Sequence, residues 1–214
     1  MFKAVLFDLD GLLIDSERMG MDVTRQVLAD FGFHATDALL TSMIGHDEVE
    51  SLNRLRAATG PDFDLEAYET ARQKATVARA ESGIPLKPGA RALLENLAEM
   101  SMPRAIATNS RTASGERKLR LSGLSDVIDI VVGFDAVAAA KPAPDVYLEA
   151  ARRIEIDPTD CIAFEDSEAG SRAAKAAGAY VVQIPDILPT QGAHANLVAT
   201  NLLEGAREAG LLPA

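Results

Sequence analysis

Cysteine, tryptophan and histidine are scarce in this chain of 214 residues, which has one cysteine, no tryptophan and three histidines. A single cysteine cannot form an intrachain disulfide, so the fold must be held by a packed core, and a reducing cytosol is the expected compartment. Cys161 begins an apolar run, and no histidine lies near it in the sequence. We therefore predict a buried strand residue at this position rather than a catalytic thiol.

Long apolar runs and an excess of positive charge are also lacking. No apolar segment approaches the roughly 20 residues that span a bilayer, and the first residues do not have the layout of a signal peptide. The formal net charge of −11 argues against nucleic acids and anionic membranes as partners. Hydrophobic residues make up 48% of the chain, which is typical of a globular protein. We expect a cytoplasmic monomer, because no long apolar stripe is left over once the predicted helices are packed.

The chain opens with a predicted buried strand that ends in an acidic turn. Residues 4–7 (AVLF) are all apolar, as in a strand covered on both faces of a parallel sheet. Residues 8–11 (DLDG) then place Asp8 and Asp10 around one leucine. Two carboxylates this close repel one another, and a cation would relieve the cost of burying them. Mg²⁺ fits best, because no histidine or cysteine lies nearby to favour zinc. A plain tight turn is the alternative for these residues taken alone.

Helical patterns fill the next part of the chain, and alternating strands and helices fill the remainder. Residues 16–82 have helical periodicity and no strand pattern, which predicts a small all-helical domain. From residue 84 the alternation predicts right-handed βαβ units, with Pro88 at a helix start, a strand over 128–132 and a helix over 194–210. The predicted fold is an α/β, Rossmann-like parallel-sheet core domain, 1–15 with 83–214, that carries the helical domain 16–82 as an insertion.

Polar side chains recur where the predicted strands end or where a loop enters a helix. Besides those of the acidic turn, they are Thr108, Asn109, Lys141, Glu165 and Asp166. Because parallel strands end on one edge of a sheet, these groups are expected to converge. Such a set suits phosphoryl transfer. One carboxylate can attack phosphorus, and a second can exchange protons with the leaving oxygen and with water. Hydroxyl, amide and ammonium groups can hold the phosphoryl oxygens.

Four segments, taken in order, resemble the motifs of the haloacid dehalogenase (HAD) superfamily. They are residues 8–17 (DLDGLLIDSE), 108–110 (TNS), 141–142 (KP) and 164–167 (FEDS). The resemblance covers essentially the whole chain and is greatest to the phosphatase and β-phosphoglucomutase branch, in which a helical cap domain is inserted after the first motif. It implies a Mg²⁺-dependent enzyme that works through an aspartyl-phosphate.

The resemblance also implies a role for each matched residue. Asp8 would be the nucleophile, and Asp10 the general acid and base that also lends its backbone carbonyl to Mg²⁺. The residues that would hold the transferring phosphoryl group are Thr108, Asn109 and Lys141. The residues that would hold the metal are Asp8, Asp10, Glu165 and Asp166. Plainer roles stay open for Thr108, as a strand end, and for Lys141, as a solvated lysine.

Contacts with the rest of the substrate are expected from the helical cap domain. His46 lies in a loop that could reach substrate, although helix capping is an equal alternative for this loop. Lys74 matches a cap lysine of the β-phosphoglucomutase branch, and a solvated helix lysine is its alternative. The expected partner is a small phosphorylated metabolite.

Hydrolysis of a small phosphomonoester, such as a sugar phosphate, is the predicted reaction. A β-phosphoglucomutase is the alternative, but those enzymes resemble one another in having a histidine where this chain has Gly20. They also have cations where it has Ile44 and Glu48, so the grip on a second phosphate would be missing. Members of the superfamily that displace halide usually lack the second aspartate of the first motif, so the presence of Asp10 disfavours a dehalogenase. A remote alternative is a non-enzymatic phospho-acceptor similar to response-regulator receivers, which are shorter and lack the insertion.

Overall fold

The computed structural model of the chain describes residues 1–44 and 48–213. The chain divides into two compact units. One, here called the α/β unit, comprises Met1–Asp15 and Pro85–Ala214, and the other, the helical unit, comprises Ser16–Ile84. Within the described residues, no helix combines the length and the apolar character needed to cross a bilayer.

A parallel six-stranded sheet forms the centre of the α/β unit. Its strands are β1 (Ala4–Phe7), β2 (Arg104–Ala107), β3 (Val131–Val132), β4 (Cys161–Glu165), β5 (Tyr180–Gln183) and β6 (Leu197–Val198). Their order across the sheet is β3-β2-β1-β4-β5-β6, and every neighbouring pair is parallel. The central strands β1 and β4 are buried along their whole length, as the apolar runs 4–7 and 161–164 predict. The predicted α/β parallel-sheet fold is therefore confirmed.

The described residues of the helical unit form four helices. They are α1 (Ser16–Asp30), α2 (Asp37–Ser42), α3 (Glu48–Thr59) and α4 (Leu65–Glu81). Side chains fix two of the starts: the Thr36 hydroxyl accepts a hydrogen bond from the Leu39 backbone N–H, and the Asp64 carboxylate accepts one from that of Ala67. Apolar residues from all four helices pack into a core of their own, with Leu28, Leu40, Leu55 and Tyr68 buried.

Five further helices belong to the described part of the α/β unit. They are α5 (Ala90–Glu99), α6 (Thr112–Ser122), α7 (Asp145–Arg153), α8 (Glu168–Ala177) and α9 (Leu202–Glu208). Helices α7 and α8 bury mainly alanines against the sheet, so backbone and sheet approach closely. The starts of these helices follow the strand ends of the sheet and carry several of the candidate site residues.

Three predicted boundaries are wrong. The strand over 128–132 is reduced to β3, and the helix near Pro88 begins at Ala90, after Gly89 in a left-handed conformation. The helix over 194–210 is only α9, because the Asn201 side chain caps its start. The residues before it instead supply β6, which pairs with β5 over two residues. A pairing this short has no detectable period in the sequence.

The contact at Gly133 gives a test of the packing that joins the loops after β2 and β3. A Cβ at Gly133 would meet the backbone of the other loop, with Ser110 O at 2.5 Å and Arg111 C at 2.7 Å. Since the backbone cannot easily yield, Gly133→Ala should lower the free energy of unfolding by about 1–3 kcal/mol, measured by urea denaturation.

Gly20 in α1 is the matched control, because a Cβ there meets nothing within 4 Å. Gly20→Ala should raise stability by up to about 1 kcal/mol, since alanine is the better helix former. Equal effects of the two substitutions would show that the close approach at Gly133 contributes nothing.

Candidate active site

The register of the central strands sets two carboxylates side by side at one edge of the sheet. Phe7 of β1 lies opposite Phe164 of β4, so the residues that follow, Asp8 and Glu165, reach the carboxyl edge together. The Asp8 backbone N–H donates to Phe164 O at 3.0 Å, which extends the strand pairing by one residue. Strand β2 lies on the other side of β1 and leads to Thr108 at the same edge. The backbone therefore brings Asp8, Thr108 and Glu165 to one edge of the sheet, as expected for parallel strands.

Lys141 enters this edge as a buried cation between two carboxylates. Its Nζ lies 2.5 Å from Asp8 Oδ1 and 2.6 Å from Glu165 Oε1. The exposed fractions are 8% for Lys141, 7% for Asp8 and 0% for Glu165, so these charges are nearly out of contact with water. The Tyr147 hydroxyl donates to the same Glu165 oxygen, and the Tyr147 ring lies 4.9 Å from Lys141 Nζ. Each buried charge thus has the partners that its burial requires.

Negative charge still exceeds positive charge at this edge. Burial raises the pKa of Asp8 to about 7, even though the ammonium of Lys141 acts in the opposite direction. The pKa of Asp166 is raised well above its usual range by burial and then by its neighbours Asp8 and Glu165. Burial alone would lower the pKa of Lys141, but the two carboxylates that it contacts outweigh burial and raise it. Three carboxylates therefore share one cation.

The same three carboxylates could hold a metal ion. Ligand oxygens of Asp8, Glu165 and Asp166 all lie within 4.8 Å of one another. An all-oxygen, anionic set suits a hard divalent cation such as Mg²⁺, and a cation here would offset the excess negative charge. The donor set therefore fits the metal that the sequence predicts.

Two glycines allow the carboxylates to come this close. Gly11 has a φ of +82°, and a Cβ there would strike the Asp166 carboxylate. Gly170, in the first turn of α8, lies against the Glu165 carboxylate in the same way. The site therefore requires residues without side chains at these two positions. The sequence motifs did not point to Gly170.

Thr108 and Asn109 both lie at this edge but make different contacts. Thr108 is 1% exposed, and its hydroxyl oxygen accepts a hydrogen bond from the Ser110 N–H at 3.0 Å. The Asn109 side chain accepts from the Lys141 N–H at 2.9 Å and donates to the Lys141 carbonyl at 3.2 Å. Asn109 therefore holds the backbone of the loop that presents Lys141.

A second lysine, Lys118, pairs with Asp10. Both of its carboxylate oxygens lie 2.7 Å from Lys118 Nζ, and the Ser110 hydroxyl donates to one of them at 2.9 Å. This group is partly exposed, with 23% of the Asp10 side chain accessible. The edge thus holds one aspartate in a buried ion pair and another, two residues later, in a partly exposed one. Two carboxylates held in different surroundings can serve as a nucleophile and as a separate acid–base group.

The comparisons with known proteins agree with this arrangement. The sequence model of the family described as haloacid dehalogenase-like hydrolases matches residues 5–184. The chain belongs to this family. Its predicted identification as a HAD-like enzyme is confirmed.

Curated relatives of this HAD-like hydrolase are named as phosphatases. A phosphorylated carbohydrates phosphatase of Thermotoga maritima is 31% identical over 176 residues, which are 82% of each chain. A bifunctional riboflavin kinase/FMN phosphatase of Arabidopsis thaliana is 33% identical over 190 residues, and the match spans 88% of this chain but about half of that relative. The predicted enzyme class, a phosphoric monoester hydrolase, is confirmed, and the receiver-like alternative is disfavoured.

Solved structures support the fold over nearly the whole length of the hydrolase. A HAD family hydrolase from Deinococcus radiodurans, with bound phosphate and sodium, has a TM-score of 0.84 and 30% identity, covering 99% of this chain and 98% of that one. A protein from Thermotoga maritima assigned as a β-phosphoglucomutase has a TM-score of 0.82 and 27% identity, covering 98% and 97%.

His46 and Lys74 are the two residues predicted to contact substrate from the helical domain. His46 lies outside the described residues. Lys74 is exposed on α4 and is not among the described residues that line the cavity of this unit. That cavity, of about 300 Å³, combines apolar residues such as Leu40 and Leu52 with polar ones such as Arg72. The structure therefore leaves the contacts of His46 and Lys74 as predictions.

Residues that the sequence analysis did not single out complete the site. Lys118 and Tyr147 were missed because each lies inside a helix whose inner face is decided by packing. Gly115 gives a signal for Lys118: it packs against the sheet, and a residue three positions later lies on the same face of α6.

A further ion pair belongs to the α/β unit: the carboxylate of Asp186 pairs with Lys87 at 2.5 Å.

The Tyr147 hydroxyl gives a test of the buried network. Tyr147→Phe keeps the ring but removes one donor from the fully buried Glu165 carboxylate, so it should lower the free energy of unfolding by about 1.5–3 kcal/mol. Chemical denaturation measures the loss. Tyr180→Phe, at a half-buried position on β5, is the control and should change stability by less than about 0.5 kcal/mol. A loss no greater than that of the control would contradict the role assigned to the hydroxyl.

Proposed function

We propose that this hydrolase is a Mg²⁺-dependent phosphatase that cleaves a small phosphomonoester, such as a sugar phosphate, through an aspartyl-phosphate on Asp8. The observation that carries the proposal is the Asp8 carboxylate, which pairs with Lys141 and has a ligand oxygen within 4.8 Å of those of Glu165 and Asp166. The names of relatives, among them a phosphatase of phosphorylated carbohydrates, support the substrate class.

The metal would be held by carboxylates of Asp8, Glu165 and Asp166 and by the backbone carbonyl of Asp10. When bound, Mg²⁺ supplies positive charge that offsets the negative charge of the phosphate and of these carboxylates. Glu165 also accepts from Lys141 and Tyr147, which fixes its orientation. The Asp166 carboxylate abuts Gly11, which leaves room for it at this edge of the sheet.

In the first step, an oxygen of the Asp8 carboxylate forms a bond to phosphorus while the bond from phosphorus to the ester oxygen breaks. The electron pair of that bond leaves with the ester oxygen, which takes a proton from Asp10 and departs as an alcohol. Lys141, which is buried and cationic, holds the Asp8 carboxylate in place before the attack and can stabilise the negative charge of the phosphoryl oxygens during it. The Thr108 hydroxyl accepts from Ser110, so its own proton is directed elsewhere and can be donated to a phosphoryl oxygen.

In the second step, water attacks the phosphorus of the aspartyl-phosphate and gives a proton to Asp10. The bond from phosphorus to the Asp8 oxygen breaks, which releases phosphate and restores the carboxylate. Asn109 acts by holding the Lys141 loop, and its further contact with the phosphoryl group stays a prediction.

A β-phosphoglucomutase is the second candidate, because a solved structure assigned to that activity is similar over nearly the whole chain. Gly20 and Ile44 disfavour it, since neither can supply the histidine or the cation that the mutase branch has at these positions. In the same proposal the helical unit acts as the cap domain that selects the organic group of the ester, with His46 and Lys74 as candidate contacts.

Phosphate release from a panel of sugar phosphates and other small phosphomonoesters tests the function. With Mg²⁺ we expect steady turnover of at least one ester, and with EDTA a loss of about a hundredfold or more. Asp8→Asn should abolish turnover while circular dichroism shows an intact fold, because the amide cannot attack phosphorus. Asp129→Asn, which removes the same charge at an exposed position, is the control and should match the wild type.

Two outcomes would contradict the proposal. Near-normal turnover by Asp8→Asn would exclude this residue as the nucleophile. Conversion of β-glucose 1-phosphate, with its bisphosphate activator, to glucose 6-phosphate with little free phosphate would identify a mutase instead.

Metal binding has a test that does not depend on activity. Saturating Mg²⁺ should raise the melting temperature of EDTA-treated protein by about 5 °C or more, since a ligand that binds only the folded state stabilises it. Asp166→Asn should lose most of this increase, whereas Asp129→Asn should keep it. In EDTA, Asp166→Asn should be at least as stable as the wild type, because it removes a buried carboxylate that lies beside two others. Equal metal-induced shifts in both variants would exclude Asp166 as a ligand.

A further inference from the structure

Lys118 reaches the edge of the sheet from the inner face of α6. One turn before it, Gly115 lies so close to the sheet that a Cβ would stand 2.8 Å from Val131 Cγ1 and 3.6 Å from Thr108 Cγ2. The helix therefore lies against β2 and β3, and residues three positions apart share its inner face. The absence of a side chain at position 115 lets Lys118 extend along the sheet to the acidic turn after β1.

The ammonium of Lys118 holds the Asp10 carboxylate at both oxygens. Each oxygen lies 2.7 Å from Nζ. Ser110 closes the arrangement: its hydroxyl donates to Asp10 Oδ2 at 2.9 Å, and its oxygen accepts from Lys118 Nζ at 2.9 Å. Two groups, one from α6 and one from the loop after β2, thus hold one carboxylate.

This ion pair is less exposed than the surface pair Lys3–Asp160. The side chains of Lys118 and Asp10 are 26% and 23% exposed, whereas those of the pair Lys3–Asp160 are 62% and 39% exposed. Exposed pairs contribute little to stability. The Lys118 contact joins residues 108 positions apart and lies beside the nucleophile. An orienting role explains it better than surface solvation.

We propose that Lys118, assisted by Ser110, is a positioning residue that fixes the orientation of the acid–base group Asp10. This inference rests on the proposed function, because it assigns a task within the same two-step reaction. Lys141 serves the nucleophile and the metal site, and Lys118 serves the group that moves protons. A misplacement of about 1 Å in such a group can cost about a hundredfold in rate.

If Lys118 positions Asp10, the rate loss caused by replacing Lys118 should depend on the leaving group of the ester. As the bond from Asp8 to phosphorus forms and the bond to the ester oxygen breaks, a sugar alkoxide needs a proton from Asp10, whereas p-nitrophenolate leaves as a stable anion without one. In the second step, water must give a proton to Asp10 whichever ester was cleaved. A misoriented Asp10 therefore slows both steps for a sugar phosphate, but only the second for p-nitrophenyl phosphate.

The experiment measures kcat and kcat/KM of Lys118→Met with p-nitrophenyl phosphate and with the sugar phosphate that the wild type cleaves fastest. For the sugar phosphate, kcat/KM should fall by about tenfold to a hundredfold. For p-nitrophenyl phosphate, kcat/KM should stay within about twofold while kcat falls by about tenfold or more, with a burst of nearly one equivalent of nitrophenolate per enzyme. Lys175→Met, an exposed lysine on α8, is the control and should match the wild type.

Two further variants separate positioning from loss of the fold. Lys118→Arg retains a cation that can hold both oxygens and should recover most of the sugar phosphate kcat/KM. Ser110→Ala removes one donor to Asp10 and should cause a smaller loss with the same dependence on leaving group. If Lys118→Met does not fold, Ser110→Ala carries the test.

Equal loss of kcat/KM on both esters, an increase in KM alone, or wild-type kinetics in Lys118→Met would each overturn the inference. So would a Lys118→Arg variant that folds but is as impaired as Lys118→Met. If instead the wild type releases no phosphate from any ester, the proposed function itself fails, and that result is distinct from all of these.

Discussion

Lys141 is a buried cation whose ammonium contacts the buried carboxylates of Asp8 and Glu165. Removing one partner from a buried ion pair typically costs about 3–5 kcal/mol, because the other charge is left uncompensated. The surroundings therefore have to hold all three in place. The Asn109 side chain fixes the loop of Lys141, the Tyr147 hydroxyl fixes Glu165, and Gly170 leaves space for that carboxylate. Much of this edge of the sheet is organised around one ammonium group.

The single positive charge of Lys141 does not balance the negative charges of the carboxylates that surround it. Asp166 adds a third buried carboxylate, and its raised pKa reflects the repulsion. A fold selected for stability alone would gain by replacing such a residue with a neutral one. The excess of negative charge is explained if the site binds a divalent cation, and the close packing at Gly11 keeps Asp166 where a cation would need it. Stability and function therefore oppose one another at this position.

The sequence predicts the parts of the site that depend on strand order and not those that depend on helix packing. Asp8, Thr108 and Glu165 follow or end apolar strands, and a parallel sheet brings such strand ends to one edge whatever the details of packing. Lys118 and Tyr147 lie within helices, where the direction of a side chain depends on how the helix rotates against the sheet. That rotation is set by tertiary contacts such as those of Gly115 with β3. Strand β6 was missed for a related reason, since its two residues pair only because β5 is already there.

Specificity has to arise elsewhere than at the carboxylate edge. In the proposed mechanism, the groups at that edge recognise features that every phosphomonoester shares, namely the phosphoryl oxygens, the phosphorus atom and the ester oxygen. They cannot distinguish one organic group from another. The cavity of the helical unit has the mixed lining that an organic group with hydroxyls would need, with Leu40 and Leu52 beside Thr24 and Arg72. The chemistry of this family member can therefore be inferred from residues whose positions the sheet dictates. In the proposed function the helical unit selects the substrate, and sequence patterns predict the helices of this unit but not its side-chain contacts.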